Sequence, residues 1–253
     1  MSEEGVQVTN EAGVGIVSFS HPKANSLSSL QLQELTKCVQ QCGADPAVKV
    51  ILLKSSGQKA FCAGASFDEL LTLKTQEEAT EYFLGFARVI LAMRNVPKCI
   101  VVRVQGKAVG GALGLIAAAD YSIAQESASV RLSELALGFG PFVISQPLIR
   151  KLGVSAFEEL ALSAEWHEAS WALQRGLYSR VVSSKGDALD AAVGELTTQL
   201  ASRSAEAMQR IKEIAWQGTD DWEALLHSRA QYAARLALSP ETRENLKKFQ
   251  GKS

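Results

Sequence analysis

The chain has 253 residues, 47% of them hydrophobic, with a formal net charge of −1. That length and composition suit one globular body with a helical appendage, and the charge balance offers no basic footprint for nucleic acid or an anionic membrane. No apolar run reaches the roughly 18 residues of a membrane span. The opening Met1-Ser2-Glu3-Glu4 is acidic, unlike the basic entry of a signal peptide, so a cytoplasmic location is expected.

In chain order, residues 14–20 read as a strand that stops at His21-Pro22, where proline removes a ladder donor. Asn25 to Leu27 lead into a helix whose Leu30, Leu32, Leu35 and Val39 suit one apolar side. Residues 49–54 form a second apolar strand. A loop of small residues follows at 56–65, and then Ser66 and Glu69 stand at capping-box spacing, which predicts a helix start. Residues 77–94 predict an amphipathic helix feeding a β-branched strand at 100–104. That strand is expected to run through the glycine-rich turn at 105–111 into an uncharged, buried helix over 112–119. Another strand is expected at 120–124, and this alternation implies a largely parallel sheet. Beyond Pro141 helices dominate, at 149–152, 156–162, 170–175, 187–201, 205–216 and 221–238, with Val181-Val182 the clear strand residues. The fold class is α/β, divided as a body over 1–200 and a C-terminal helical region over 201–253.

Several chemistries lose support from the residues alone. Cys38, Cys42, Cys62 and Cys99 lack paired zinc spacing, and with only His21, His167 and His227 no metal site is expected; the thiols read as reduced core residues. Gly64-Ala65-Ser66-Phe67-Asp68 imitates a serine-hydrolase elbow but has Asp68 in place of the second glycine, and Ser66 reads better as a helix cap. The glycines between Gly106 and Gly114 do not match a dinucleotide or Walker motif. What remains is a pair of strand-loop-helix units presenting small residues at helix N-termini, where unpaired N–H groups suit an anionic oxygen.

Lys59-Ala60-Phe61-Cys62-Ala63-Gly64-Ala65, Gln105-Gly106-Lys107-Ala108-Val109-Gly110-Gly111-Ala112 and Ala119-Asp120-Tyr121 together resemble the enoyl-CoA hydratase/isomerase, or crotonase, superfamily. The resemblance extends from about Val14, through His21-Pro22-Lys23-Ala24-Asn25-Ser26-Leu27-Ser28, to Gly176-Leu177-Tyr178-Ser179-Arg180-Val181-Val182. It implies a spiral of ββα turns, with C-terminal helices that assemble trimers or dimers of trimers. It also implies an acyl-CoA substrate, with CoA as part of the thioester and no separate cofactor. The backbone N–H groups of Ala65 and Gly111 would then hold the thioester oxygen as it gains enolate charge.

The same resemblance places a catalytic carboxylate at Glu134, while the position of a second hydratase glutamate is Gly114. Asp120 is expected to be a structural helix cap and Glu126 to be solvated. One carboxylate suffices to move a proton between two carbons, and the bulky Gly138-Phe139-Gly140-Pro141-Phe142-Val143 run looks isomerase-like. Double-bond isomerisation is therefore the leading expectation and hydration the alternative. Decarboxylation assisted by Tyr82, or a non-catalytic CoA-binding scaffold, follow. Lys23, Ala24, Ala63, Ser66, Phe67, Asp68, Tyr82 and Phe142 are the expected substrate contacts, with Phe83, Phe86 and Phe139 narrowing the acyl pocket. Arg243, Lys247 and Lys248 near Phe249 are candidates to reach a neighbouring subunit's CoA.

Overall fold

In the computed structural model, residues 4–250 are described. The first three residues of the acidic opening and the last three of the C-terminal region lie outside them. The chain turns repeatedly through strand, strand and helix. β1 (Gly5–Glu11), β2 (Val14–Ser20) and α1 (Ser29–Ala44) make the first turn, and β3 (Val50–Ser55), β4 (Ala60–Cys62), α2 (Phe67–Thr72) and α3 (Gln76–Asn95) the second. β5 (Cys99–Val104), β6 (Lys107–Val109) and α4 (Gly111–Ala118) make the third. β7 (Tyr121–Gln125), β8 (Ser129–Arg131), α5 (Glu134–Leu137), α6 (Ser145–Leu152) and α7 (Val154–Ser163) follow. The chain continues through β9 (His167–Glu168), α8 (Ala169–Gln174), β10 (Arg180–Val182), α9 (Ala188–Ala201), α10 (Ala205–Ala215), α11 (Trp222–Ala237) and α12 (Pro240–Gln250).

One sheet is ordered β1-β2-β3-β5-β7-β10 and a second β4-β6-β8-β9; in the turns that begin with β3, β5 and β7 the longer strand joins the first sheet and the three-residue strand the second. From β2 to β10 the first sheet is parallel, with β1 antiparallel at its edge. This is the expected ββα spiral. The short strands β4 and β6 were not legible beforehand: each is three residues long, so neither carries a period. β6 also interrupts the turn expected to run directly into the buried helix.

Local chemistry starts the helices. Ser28 with Gln31 and Thr75 with Glu78 close capping boxes on α1 and α3. Ser66 caps α2 as expected, accepting from the Glu69 N–H at 3.4 Å. The Glu69 side chain does not close that box; it accepts from the Ser29 N–H at 2.8 Å and from the Ser29 hydroxyl, joining α2 to the start of α1. Leu30 also departs from expectation: it is 62% exposed, while Leu32, Leu35 and Val39 are buried.

α11 packs Trp222, Leu226, Ala230, Ala233, Ala234 and Ala237 into the same core as the sheets and α3. α10 adds a buried ion pair. Lys212 meets Asp120 at 3.1 Å and donates to the carbonyls of Met93 at 2.7 Å and Lys98 at 2.9 Å. Asp120 is structural but not a helix cap: it accepts from the Ile100 N–H at 2.8 Å, and the C-cap of α4 is Ala119. Burial pulls the Lys212 ammonium below its ordinary value, and Asp120 opposes that shift. Replacing Lys212 with Met would strand Asp120 and lower stability by about 3 kcal/mol, read as a fall in Tm. Adding Asp120→Asn should recover part of the loss.

Candidate active site

β4 and β6 lie side by side, with Ala60 opposite Lys107 and Cys62 opposite Ala108, so the turns that follow them also meet. A Cβ on Gly64 would stand 2.6 Å from the Val109 carbonyl oxygen and 3.3 Å from the Gly111 nitrogen. Only a glycine permits this approach, and its φ of +82° adds a second reason. The bonds locking the two turns use the N–H groups of Leu27, bound to the Gly64 carbonyl at 2.8 Å, Ser66, bound to Leu27 at 3.1 Å, and Gly110, bound to Arg131 at 2.9 Å. The N–H groups of Ala65 and Gly111 take no part in this lock.

Ala65 and Gly111 line one apolar cleft with Glu134, and the cleft has a volume of about 40 Å³. Glu134 opens α5 and is 8% exposed, not the surface carboxylate its turn position would also have allowed. A Cβ on Gly110 would lie 2.8 Å from Glu134 Oε1, so glycine at that position makes room for the carboxylate. Glu134 Oε2 is buried without a hydrogen-bond partner. Burial pushes the Glu134 carboxyl up from 4.5 to about 7, against the lowering pull of the backbone N–H groups of Glu134 and Ser133.

The remaining wall is aromatic and aliphatic: Phe83, Phe86, Phe139, Phe142, Val143 and Ile144, with Ala233 contributed by α11. The aromatic members were anticipated; Ile144 and Ala233 were not, because α6 and α11 carry no local motif. Ile144 has a second contact. A Cβ on Gly114 would come within 2.4 Å of Ile144 Cγ2, so the place of a second carboxylate is filled by a hydrocarbon side chain.

A second cavity, lined by Lys23, Ala24, Ser26, Ser66 and Asp68, shares Ala63, Ala65 and Phe67 with the first. The expected substrate contacts thus converge, with exceptions. Tyr82 does not line either cavity. It is 1% exposed, and its hydroxyl donates to the Leu27 carbonyl and accepts from the Ser66 N–H, both at 2.8 Å, so it braces the loop from behind. Lys23 and Asp68 form an ion pair across the mouth, so Lys23 meets a phosphate only after or while leaving that carboxylate. Asn25, in left-handed backbone with φ +57°, secures this mouth by donating to the carbonyls of Ser56 at 2.8 Å and Ala60 at 3.2 Å.

Arg243 does not project outward toward a neighbour. Its guanidinium binds the carbonyls of Leu71, at 3.2 Å, and Leu73 at the end of α2 in its own chain. Lys248 pairs with Glu244 at 2.6 Å, and Lys247 is exposed. Glu126 is exposed and accepts from the Ser184 N–H at 3.2 Å.

Two adjoining backbone turns and a buried carboxylate that line one apolar cleft, inside a ββα spiral, define the crotonase class. The enoyl-CoA hydratase/isomerase family model matches residues 9–252, and the chain belongs to that family. A relative named "Probable enoyl-CoA hydratase" from Bacillus subtilis is 30% identical over 238 residues, covering 93% of this chain and 92% of its own. A "Short-chain-enoyl-CoA hydratase" from Clostridium acetobutylicum is 30% identical over 184 residues, covering 72% and 70%. The solved structure of an enoyl-CoA hydratase from Mycobacterium avium subsp. paratuberculosis K-10 superposes with a TM-score of 0.86 at 25% identity, covering 98% of this chain and 99% of that one.

A carboxyl with a raised folded value keeps its proton to higher pH in the folded chain than in the unfolded one. Stability contributed by Glu134 therefore falls as pH rises from 4.5 to about 7, by roughly 3 kcal/mol in all. Glu134→Gln carries no charge, so its Tm relative to the wild type should climb across that window and level off above it. Gly110→Ala should displace the carboxylate and reduce turnover by about 100-fold or more, while the purified variant still melts cooperatively.

Proposed function

We propose that this protein acts on an enoyl-CoA thioester through an enolate, with Glu134 as its single acid/base and the N–H groups of Ala65 and Gly111 holding the thioester oxygen. One observation carries the reading: the unpartnered oxygen of a buried, raised-pKa carboxylate shares an apolar cleft with both backbone turns. CoA enters as part of the substrate, past the Lys23 to Asp68 mouth, and no further cofactor is invoked. Assembly into trimers or dimers of trimers is part of this reading, and exposed Ile211 and Ile214 on α10 are apolar surface that self-association would cover.

For a 3-enoyl thioester, ionised Glu134 takes a proton from C2, and the electron pair moves toward the thioester oxygen as a dienolate. The two N–H groups stabilise that charge, each contributing about 3 kcal/mol in comparable sites. Protonated Glu134 then returns the proton to C4, leaving the double bond between C2 and C3. The hydrocarbon wall and the Ile144 side chain over Gly114 favour this shift, because they leave no second carboxylate to hold water.

Hydration is the second reading, and the names of the relatives favour it. Glu134 would take a proton from water, the oxygen would add to C3, and the same proton would pass to C2. Both reactions use one carboxylate and one oxyanion site. Ultraviolet absorbance separates them, since only the 2-enoyl thioester is conjugated: a rise with a short 3-enoyl-CoA marks isomerisation, and a fall with the 2-enoyl-CoA marks hydration. Whichever reaction runs, kcat/KM should rise with pH through about 7 as Glu134 ionises. Glu134→Gln should lower kcat by roughly 1,000-fold. Undiminished turnover in that variant would remove Glu134 from the chemistry.

A further inference from the structure

Arg229 lies on α11 one turn before Ala233, the residue through which that helix lines the acyl cleft. Its guanidinium faces the beginning of α6. Nη1 donates to Ser145 Oγ, and that hydroxyl donates to the Phe142 carbonyl at 2.5 Å. The Gln146 amide, oriented with its oxygen toward Arg229, accepts from Nη2 at 2.6 Å and Nη1 at 2.7 Å. Ser145 is 5% exposed.

This is an unfavourable place for a cation. The N-terminus of α6 carries the positive end of the helix dipole, Arg229 is half-buried, and its partners here are a neutral hydroxyl and a neutral amide. The compensation is a relay that reaches the cleft. Phe142, whose carbonyl ends the relay, and Ile144, next to Ser145, both form the acyl wall. The Phe142 ring is also fixed from α11, by Tyr232 at 6.5 Å between centroids.

We propose that Arg229 is a positioning residue: through Ser145 it holds the 139–144 wall against α11, setting the depth of the acyl pocket and keeping water from Glu134. The inference rests on the acyl-CoA reading above. If the relay holds the wall, loosening it deepens the pocket and wets the carboxylate together. Selectivity for acyl length and the pH profile should then move in concert.

The test compares wild type with Arg229→Met, Ser145→Ala, the double variant and Arg229→Lys. Calorimetry measures binding of saturated four-carbon and eight-carbon acyl-CoA thioesters, and kinetics gives the pH dependence of kcat/KM on whichever enoyl-CoA is turned over. The expected result is a shift of about tenfold or more in the binding ratio toward the longer chain in both single variants, no further shift in the double variant, and partial restoration by Arg229→Lys, which can still donate to Ser145. The acidic limb of the pH profile should move below the wild-type position as water reaches Glu134. Should Arg229→Met fail to fold, Ser145→Ala and Arg229→Lys still test the relay. Wild-type binding with an unchanged length ratio and pH limb in the variants overturns the positioning role alone, as does additivity of the two single effects. No binding of either thioester by the wild type overturns the acyl-CoA reading, and this inference with it.

Discussion

The contact between the turn at Gly64 and the turn at Gly110 is the constraint on which the site depends. Two parallel three-residue strands bring these turns together, and the 2.6 Å separation between an imagined Gly64 Cβ and the Val109 oxygen leaves no space for any side chain. The backbone of one turn therefore lies against the backbone of the other. Leu27, Ser66 and Gly110 donate the backbone bonds that hold the turns, and the N–H groups of Ala65 and Gly111 are not among those donors. A donor held by packed backbone needs no reorganisation when charge develops in front of it, and this is the physical basis of oxyanion stabilisation.

The same economy of space governs the acid/base group. Gly110 lacks a side chain where the Glu134 carboxylate sits, and Ile144 occupies the volume above Gly114. One glycine admits a carboxylate and the other admits a hydrocarbon. The result is a single ionisable group surrounded by phenyl rings and aliphatic side chains, whose burial is what raises its proton affinity. Tyr82 and Arg243, both polar and both near the site, are instead consumed by backbone carbonyls and an N–H group behind it. Polar groups that support the loops and a polar group that faces the substrate space are thereby kept distinct.

Much of this was legible in the residues. The runs around Gly64 and Gly110, the placement of Glu134, and the absence of a carboxylate at Gly114 all stand in the sequence, as do the long strands with their β-branched runs. The phenyl rings of the pocket were legible only as spacing. Two local patterns did not carry through to the fold. Leu30 lies on the expected apolar stripe of α1 but is exposed, and Glu69 sits at capping-box spacing but bonds Ser29. For Glu69 the local pattern was real, and a partner from elsewhere in the chain decided the outcome.

The sequence by itself determined the alternation of strands and helices, the two glycine-rich turns and the identity of the one carboxylate. The alternation and the turns arise from short-range terms: side-chain periodicity, helix caps, and backbone conformations that only small residues adopt; the choice of Glu134 came from the family resemblance of the motifs around it. Tertiary structure alone decided that β4 and β6 pair, that Ile144 fills the space over Gly114, that α11 contributes Ala233 to the acyl wall, and that Tyr82 faces away from it. These depend on which surfaces meet between segments separated along the chain. Burial, and with it the proton affinity of Glu134, is a property of the packed assembly of elements rather than of any one segment.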